Sequence, residues 1–274
     1  MEKQKKVISP HPVSTLAYFK RVWQYKSLIV TLAKRDIQGY FAQTLLGWLW
    51  MVIKPIITLG LFSVFFGEWL SLDTASVPYP LFAFSGMVIW YSFSTLVNSC
   101  GNALQQSSDL VRKMYFPKLI LLLSKTAVGL VELGVHLILL FIFLMLYGIP
   151  LSLPILWILP ALLLSQLFGF SIALWISALS LKRRDILQFA PHLVNFAIWL
   201  TPVFYPVTIV PEKYHFLLYF FNPIATSIEG FRYGLFGMGE ISMIFLYNIV
   251  FVLLFLGLGL LFFIKKEKHM VDFL

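Results

Sequence analysis

At 274 residues, 59% of them hydrophobic and 12% charged, the chain falls far outside the balance of a soluble domain, where roughly a quarter of residues are charged. A mean hydropathy of +0.86 marks an integral membrane protein, so the formal charge of +9 is read as an orientation signal and not as a nucleic-acid footprint. The single Cys100 excludes a disulfide framework or a thiolate metal site within one chain.

Residues 1–13 are basic, hold Pro10 and Pro12, and read as a flexible tail. No secretory signal is expected, because the first long apolar run begins only near Leu45. From Ser14 to Gln38 the residues Phe19, Val22, Trp23, Val30, Ala33 and Ile37 share one helical face, with Lys20, Arg21, Lys34 and Arg35 on the other. This predicts an amphipathic helix lying in the membrane interface; a solvated helix packed on a partner protein is the alternative.

Six apolar runs approach the length of about 20 residues that a crossing helix needs. They lie at about 45–67, 80–104, 119–147, 155–181, 187–206 and 241–264. Segments 1–44, 105–118, 182–185 and 265–274 hold seventeen Lys and Arg, whereas 68–79, 148–154 and 207–240 hold two. That asymmetry places both termini in the cytoplasm. The region 207–240 is too apolar for a solvated loop, yet Pro211, Pro223, Glu212, Lys213, Glu229 and Arg232 argue against a full span. Two short re-entrant or interfacial helices are expected there, about 212–221 and 224–236, with Asn222-Pro223 as the turn. The fold class is therefore all-α and polytopic, with a region 1–44 at the interface, a domain 45–264 in the membrane and a tail 265–274.

Inside the spans, Lys125, Glu132 and His136 lie close to one face of the third helix, with Glu132 and His136 at i and i+4. Ionisable groups at this depth serve structural pairing, a pathway or a proton relay. The fifth run carries Gln188, His192, Asn195 and Trp199 in a narrow stripe, and the second carries Tyr91, Ser94, Asn98 and Gln105. Such faces belong against other helices or along a channel. Phe62, Phe66 and Trp69 line one side of the first run. The 27 Phe, 12 Tyr and 8 Trp exceed what interfacial belts use, which leaves rings for packing or for a sugar-compatible route. Pro55 bends the first span, beside Lys54, and Pro191, Pro202 and Pro206 interrupt the fifth. No G-x-x-x-x-G-K-[ST] occurs, so any use of ATP, with its Mg, falls to another polypeptide.

Several pieces carry a family resemblance: Arg35-Asp36 through Tyr40 to Leu46-Gly47-Trp48-Leu49-Trp50 and Pro55, then Val111-Arg112-Lys113-Met114-Tyr115-Phe116-Pro117, then Lys182-Arg183-Arg184-Asp185. Thr201-Pro202, Tyr205-Pro206, Asn222-Pro223 and Arg232 complete the set. In order and spacing, over nearly the whole chain, they resemble the membrane-spanning permeases of ATP-binding-cassette exporters of O-antigen, capsule and teichoic acid. Gly39 and Phe41 depart from the basic residues that members often carry beside Tyr40, and Lys54 adds a charge before Pro55.

The resemblance implies a homodimer of six-helix subunits, two cytoplasmic nucleotide-binding subunits and a channel for a lipid-linked glycan at the dimer interface. It implies an ATPase-coupling role for the segment around Asp109, Leu110, Arg112, Lys113 and Tyr115. It also implies an outer gate in the region of Pro211, Tyr214, Asn222, Pro223 and Arg232. The candidate channel residues are Phe62, Phe66, Trp69, Tyr91, Asn98, His192, Asn195 and Trp199. Two other readings stand beside it. One keeps the architecture with a drug, antibiotic or lipid as cargo. The other is a membrane acyl- or glycosyltransferase with Glu132 and His136 as an acid-base pair, which lacks the further convergent polar groups that catalysis needs.

Overall fold

The computed structural model describes residues 15–41, 45–74, 77–150, 153–239 and 242–267, the side chains at 40 and 41 excepted. The basic tail expected at 1–13 and the end of the tail, 268–274, lie outside the described residues.

Two helices replace the single amphipathic one expected over 14–38: α1 (Thr15–Gln24) and α2 (Lys26–Phe41), separated at Tyr25. The Tyr25 amide donates to the Val22 carbonyl at 3.1 Å, and its own carbonyl accepts from Leu28 at 2.9 Å, so the chain turns with its backbone groups satisfied. The turn resets the helical phase and divides the expected apolar face. Tyr18, Val22, Leu32 and Ala33 are buried against the bundle, whereas Phe19, Trp23 and Val30 remain exposed.

The next helix, α3 (Trp50–Phe62), is entered through a 3-10 turn and runs on into a π-helical turn, Ser63–Trp69. There the Leu70 amide reaches back five residues to the Phe65 carbonyl at 3.1 Å, and the widened turn spreads Phe65, Phe66 and Trp69 around the axis. After α4 (Tyr79–Gly101) come the short α5 (Ala103–Gln106) and α6 (Ser108–Lys113), then α7 (Leu119–Leu146), α8 (Ile158–Ser180) and α9 (Asp185–Leu200). The chain closes with α10 (His215–Phe221), α11 (Pro223–Phe236) and α12 (Ile244–Glu267). Among the described residues there is no strand.

Five segments are long and apolar enough to cross a membrane: Gly47–Trp69, Tyr79–Gly101, Leu119–Leu146, Leu153–Ser180 and Ile244–Glu267. The run expected to be a further span, 187–206, instead forms the 16-residue α9, which stops at Leu200. At 1.5 Å per residue it is about 24 Å long, short of a full hydrocarbon core. The cause is local. Thr201 precedes Pro202 and takes an extended conformation, φ −108°, ψ 135°, as a residue before proline is driven to do.

The bundle is built around α4, whose residues Leu81 to Trp90 are all buried. It packs on α7 and α8, and α8 packs on α12. Small residues allow the close approach: a Cβ on Gly169 of α8 would stand 3.2 Å from the Phe93 carbonyl of α4. Ser177 of α8 donates to the Cys100 carbonyl of α4 at 2.9 Å, which satisfies a hydroxyl that lipid would strand.

The contact of α11 with the entry to α8 is tighter still. A Cβ on Gly234 would lie 2.9 Å from both the Ile158 backbone nitrogen and its Cγ1. The side chain can rotate away, but the backbone nitrogen cannot. Gly234→Ala is expected to cost about 1–3 kcal/mol by overpacking, read as a lowered thermal midpoint in detergent. Gly60→Ala on α3, where nothing lies within 4 Å, serves as the control and should leave the midpoint unchanged or slightly raised.

Candidate functional site

At the end of the bundle where α4 stops and α7 starts, the chain makes the short step of α5 and α6. Acidic Asp109 opens α6 and basic Arg112 and Lys113 close it, the order that complements a helix dipole. Asp109, Arg112, Lys113 and Met114 are exposed, Tyr115 is 74% exposed, and Leu110 is half-buried. Between them Val111 and Phe116, each 2% exposed, insert into an apolar cluster with Leu104, Ile120, Tyr18, Val22 and Phe263. The segment is thus a pinned platform: two apolar anchors underneath, with charged and aromatic side chains presented outward.

Lys118, just beyond, is buried, and its ammonium donates to the Met114 carbonyl at 3.2 Å. Burial holds its pKa below the usual lysine range, against the opposing pull of the Glu267 carboxylate. Neither Lys118 nor Glu267 carries a sequence motif that singles it out.

Along α7 the three ionisable residues each turn to a different helix. Lys125 forms an ion pair with Asp36 of α2 at 3.0 Å. Glu132 accepts from the Thr95 hydroxyl of α4 at 3.2 Å, and His136 Nε2 lies 3.3 Å from the Met51 carbonyl of α3. Glu132 and His136, in helical register, are therefore occupied separately. Their arrangement is that of inter-helix ties. Sequence spacing alone could not reveal their partners Asp36, Thr95 and Met51, which lie on other helices.

Aromatic candidates converge where α3 meets the segment after α9. Phe62 stacks on Phe204 with centroids 3.8 Å apart and planes at 9°, and it lies 5.7 Å from Phe66 and 6.0 Å from Trp199. The Tyr79 hydroxyl donates to the Phe204 carbonyl at 2.8 Å and fixes that ring's backbone. Trp69, 73% exposed, joins through Phe65 at 5.7 Å. Phe204 and Tyr79 were not singled out by the sequence. Tyr91 turns instead towards the His136 ring, 5.8 Å away, and Asn98 is half-buried with a buried, unpartnered Oδ1. Among the described residues of one chain, no hydrogen bond or ring contact joins these two α4 residues to His192 or Asn195.

The two sides of α9 differ in chemistry. Gln188, His192, Asn195 and Trp199 are all exposed, and at about 100° per residue they form one stripe. Ile186, Phe189, Leu193 and Ala197, largely on the other side, line an open apolar groove of about 880 Å³ together with Phe93 of α4 and Phe168 of α8, and Trp199 reaches into it as well. Only Val194 is fully buried. The helix thus carries an apolar groove on one side and the exposed polar side chains Gln188, His192 and Asn195 on another.

In the region after α9, α11 is a fixed post. Arg232 is 1% exposed. Its guanidinium donates to the carbonyls of Pro202 at 2.9 Å, Val203 at 2.8 Å and Phe82 at 3.3 Å, and lies over the Phe82 ring at 3.6 Å. Asn222 caps α11 by accepting from the Ile224 and Ala225 amides at 3.1 and 3.2 Å, and donates to the Thr201 hydroxyl at 2.8 Å. Pro223 follows in the first turn, where it lacks nothing. Asn248 of α12 ties the Tyr219 carbonyl and the Thr226 hydroxyl at 2.9 and 2.8 Å. Pro211 and Tyr214, by contrast, are exposed, as are Phe216, Leu217 and Phe221 of α10. The five gate candidates thus fall into an exposed pair and a packed trio, with Pro223 and Arg232 buried and Asn222 half-buried.

Among the described residues no group of three or more His, Cys, Asp or Glu is placed to hold a metal. An all-helical bundle with five apolar segments of crossing length defines a polytopic membrane protein. The family described as ABC-2 type transporter matches residues 27–236, and the chain belongs to it. Similar curated proteins include an O-antigen export system permease protein RfbA of Klebsiella pneumoniae, 24% identical over 257 residues, 90% of this chain and 95% of that one. A second K. pneumoniae protein of the same name is 24% identical over 242 residues, covering 85% and 90%. The RfbA of Myxococcus xanthus is 25% identical over 215 residues, covering 78% and 82%.

Proposed function

We propose that this chain is the channel-forming permease of an ATP-driven exporter that moves a lipid-linked polysaccharide or polyol-phosphate polymer across the plasma (inner) membrane. The observation that carries the reading is the exposed stripe on α9, because Gln188, His192 and Asn195 facing lipid would strand polar groups. A second copy of the chain, facing the first, turns that stripe into the wall of a shared aqueous path, lined at one end by Phe62, Phe66, Trp69 and Trp199. Relatives named as O-antigen permeases, matched over most of their length, support the glycan cargo.

In this reading α9 and the Thr201–Pro206 segment together complete a sixth crossing. The α10–α11 pair enters and leaves the membrane from the outer face, with α10 as its movable half. Both termini are cytoplasmic, which puts the exposed face of α6 in reach of two nucleotide-binding subunits. ATP and Mg reside on those partners. Helix α1, with Leu16, Phe19 and Trp23 exposed, lies in the inner interface.

Purification of the chain from native membranes tests this directly. The expected result is a complex of two permeases and two ATPase subunits whose ATP hydrolysis rises with added lipid-linked glycan. Recovery of the chain with no ATPase partner would sink the reading. The apolar groove beside α9 favours one rival, export of an amphipathic drug or lipid. Stimulation by such a compound and not by glycan would select it.

A further inference from the structure

Three segments far apart in the chain meet at Glu267, the last residue of α12. Its Oε1 accepts the Lys118 backbone N–H at 2.8 Å, and its Oε2 accepts the hydroxyl of Tyr18 in α1, 249 positions away. Lys118 stands immediately before the first turn of α7 and two residues past Phe116, the inner anchor of the exposed platform 109–115. Its ammonium reaches back to the Met114 carbonyl at 3.2 Å and lies 4.4 Å from the centre of the Phe116 ring. The platform's exit, the foot of α7, the end of α12 and the first helix are thus joined through one carboxylate.

The chemistry suits that post. A carboxylate offers two acceptor oxygens and no donor, so it can hold two different donors at once. Hydrogen bonds to a charged acceptor are the stronger kind. Negative charge is also favoured at the amino end of a helix, here the 28-residue α7. Burial and the Glu267 charge both raise the Tyr18 pKa, which keeps its hydroxyl a donor. Around the polar contacts, Tyr18, Val22, Val111, Phe116 and Phe263 form one apolar cluster that shields them from water.

We propose that Glu267 is the positioning residue of a mechanical clasp, which makes displacement of the 109–115 platform move α7, α12 and α1 as one unit. The inference rests on the transporter reading above and adds a residue that does not touch the partner or the cargo. Without the clasp, a push on Arg112 and Tyr115 rocks the short α6 about its Val111 and Phe116 anchors while α12 and α1 stay behind. Hydrolysis then continues and export does not follow.

The test uses the full transporter with its ATPase partner, reconstituted in vesicles, and reads glycan exported per ATP hydrolysed. Glu267→Ala is expected to lower that ratio about tenfold, within the range of typical coupling free energies, while the hydrolysis rate stays within about twofold. Glu267→Gln keeps an acceptor for the Lys118 N–H and should recover most of the ratio. Tyr18→Phe keeps the ring in the apolar cluster, loses one arm and should fall between the two. Because it preserves packing, it decides the matter even if the alanine variant fails to assemble. A Tyr18→Phe or Glu267→Ala complex with the parental ratio overturns the clasp. A parent complex whose hydrolysis drives no export overturns the transporter reading and the clasp with it, so the two failures are told apart by the parent alone.

Discussion

Arg232→Met is expected to abolish the folded state at growth temperature, read as loss of membrane-inserted protein and of a cooperative thermal transition in detergent. The guanidinium is 1% exposed and satisfies the carbonyls of Pro202, Val203 and Phe82 from three directions. Methionine fills much of the volume but leaves those buried acceptors unpaired. Each orphaned carbonyl costs about 1–3 kcal/mol, against a typical total stability of about 5–15 kcal/mol. Arg232→Lys should fail nearly as badly, because a single ammonium cannot span the fork that holds Pro202 and Val203 together. Gly86→Ala attacks the same cage from α4: its Cβ would stand 2.6 Å from the Val203 carbonyl and 2.9 Å from Arg232 Nη2. An Arg232→Met protein with the parental melting temperature would show that the cage holds nothing.

The cage explains how a charged residue expected near a gate comes to be fully buried. Proline at 202 ends α9, and the chain leaves the helix with carbonyls that no helical amide reaches. Arg232 supplies the donors, with the Tyr79 hydroxyl serving the Phe204 carbonyl next to them. The aromatic cluster of Phe62, Phe204 and Trp199 therefore stands on a backbone held by α4 and α11. Pro211, Tyr214 and one face of α10 are the exposed part of the region.

What was legible in the sequence was local. The lengths of the apolar runs located the five crossing helices, and Asn222-Pro223 marked the boundary between α10 and α11 because an Asn cap followed by proline has one structural meaning. The stripe on α9 followed from spacing alone. The run Thr201-Pro202-Val203-Phe204-Tyr205-Pro206 marked a sharp end to the fifth apolar run, but hydropathy carried the expected bound to 206 where the helix stops at Leu200. The split at Tyr25 had no Pro or Gly to announce it. Contacts of long range were illegible: Arg232 meets Phe82 across 150 positions and Tyr18 meets Glu267 across 249, and nothing in either neighbourhood encodes its partner. Glu267 in particular was hidden in a tail whose basic residues spoke only of orientation.

Simultaneous replacement of Arg112, Lys113 and Tyr115 by alanine is expected to reduce export at least tenfold while the subunit keeps its fold. Two kinds of side chain alternate in this segment, and that is why the effects separate. Exposed residues away from packing features usually change stability by no more than about 0.5 kcal/mol each, so the triple variant should melt close to the parent. Arg and Tyr are the side chains that dominate protein interfaces, where removal of an anchor costs about 2 kcal/mol or more, roughly a thirtyfold loss in affinity. The loss should appear as weaker retention of the ATPase partner and as hydrolysis no longer tied to glycan movement. Phe116→Ala makes the opposite case, with its ring 2% exposed beneath the platform. A cavity there costs about 3–5 kcal/mol and should lower the melting temperature along with export. If the triple variant exports at the parental rate, force enters elsewhere, and the nearest alternative is the basic step Lys182-Arg183-Arg184 between α8 and α9. Its three exposed charges lie at the same end of the bundle and open directly onto the helix that carries the polar stripe.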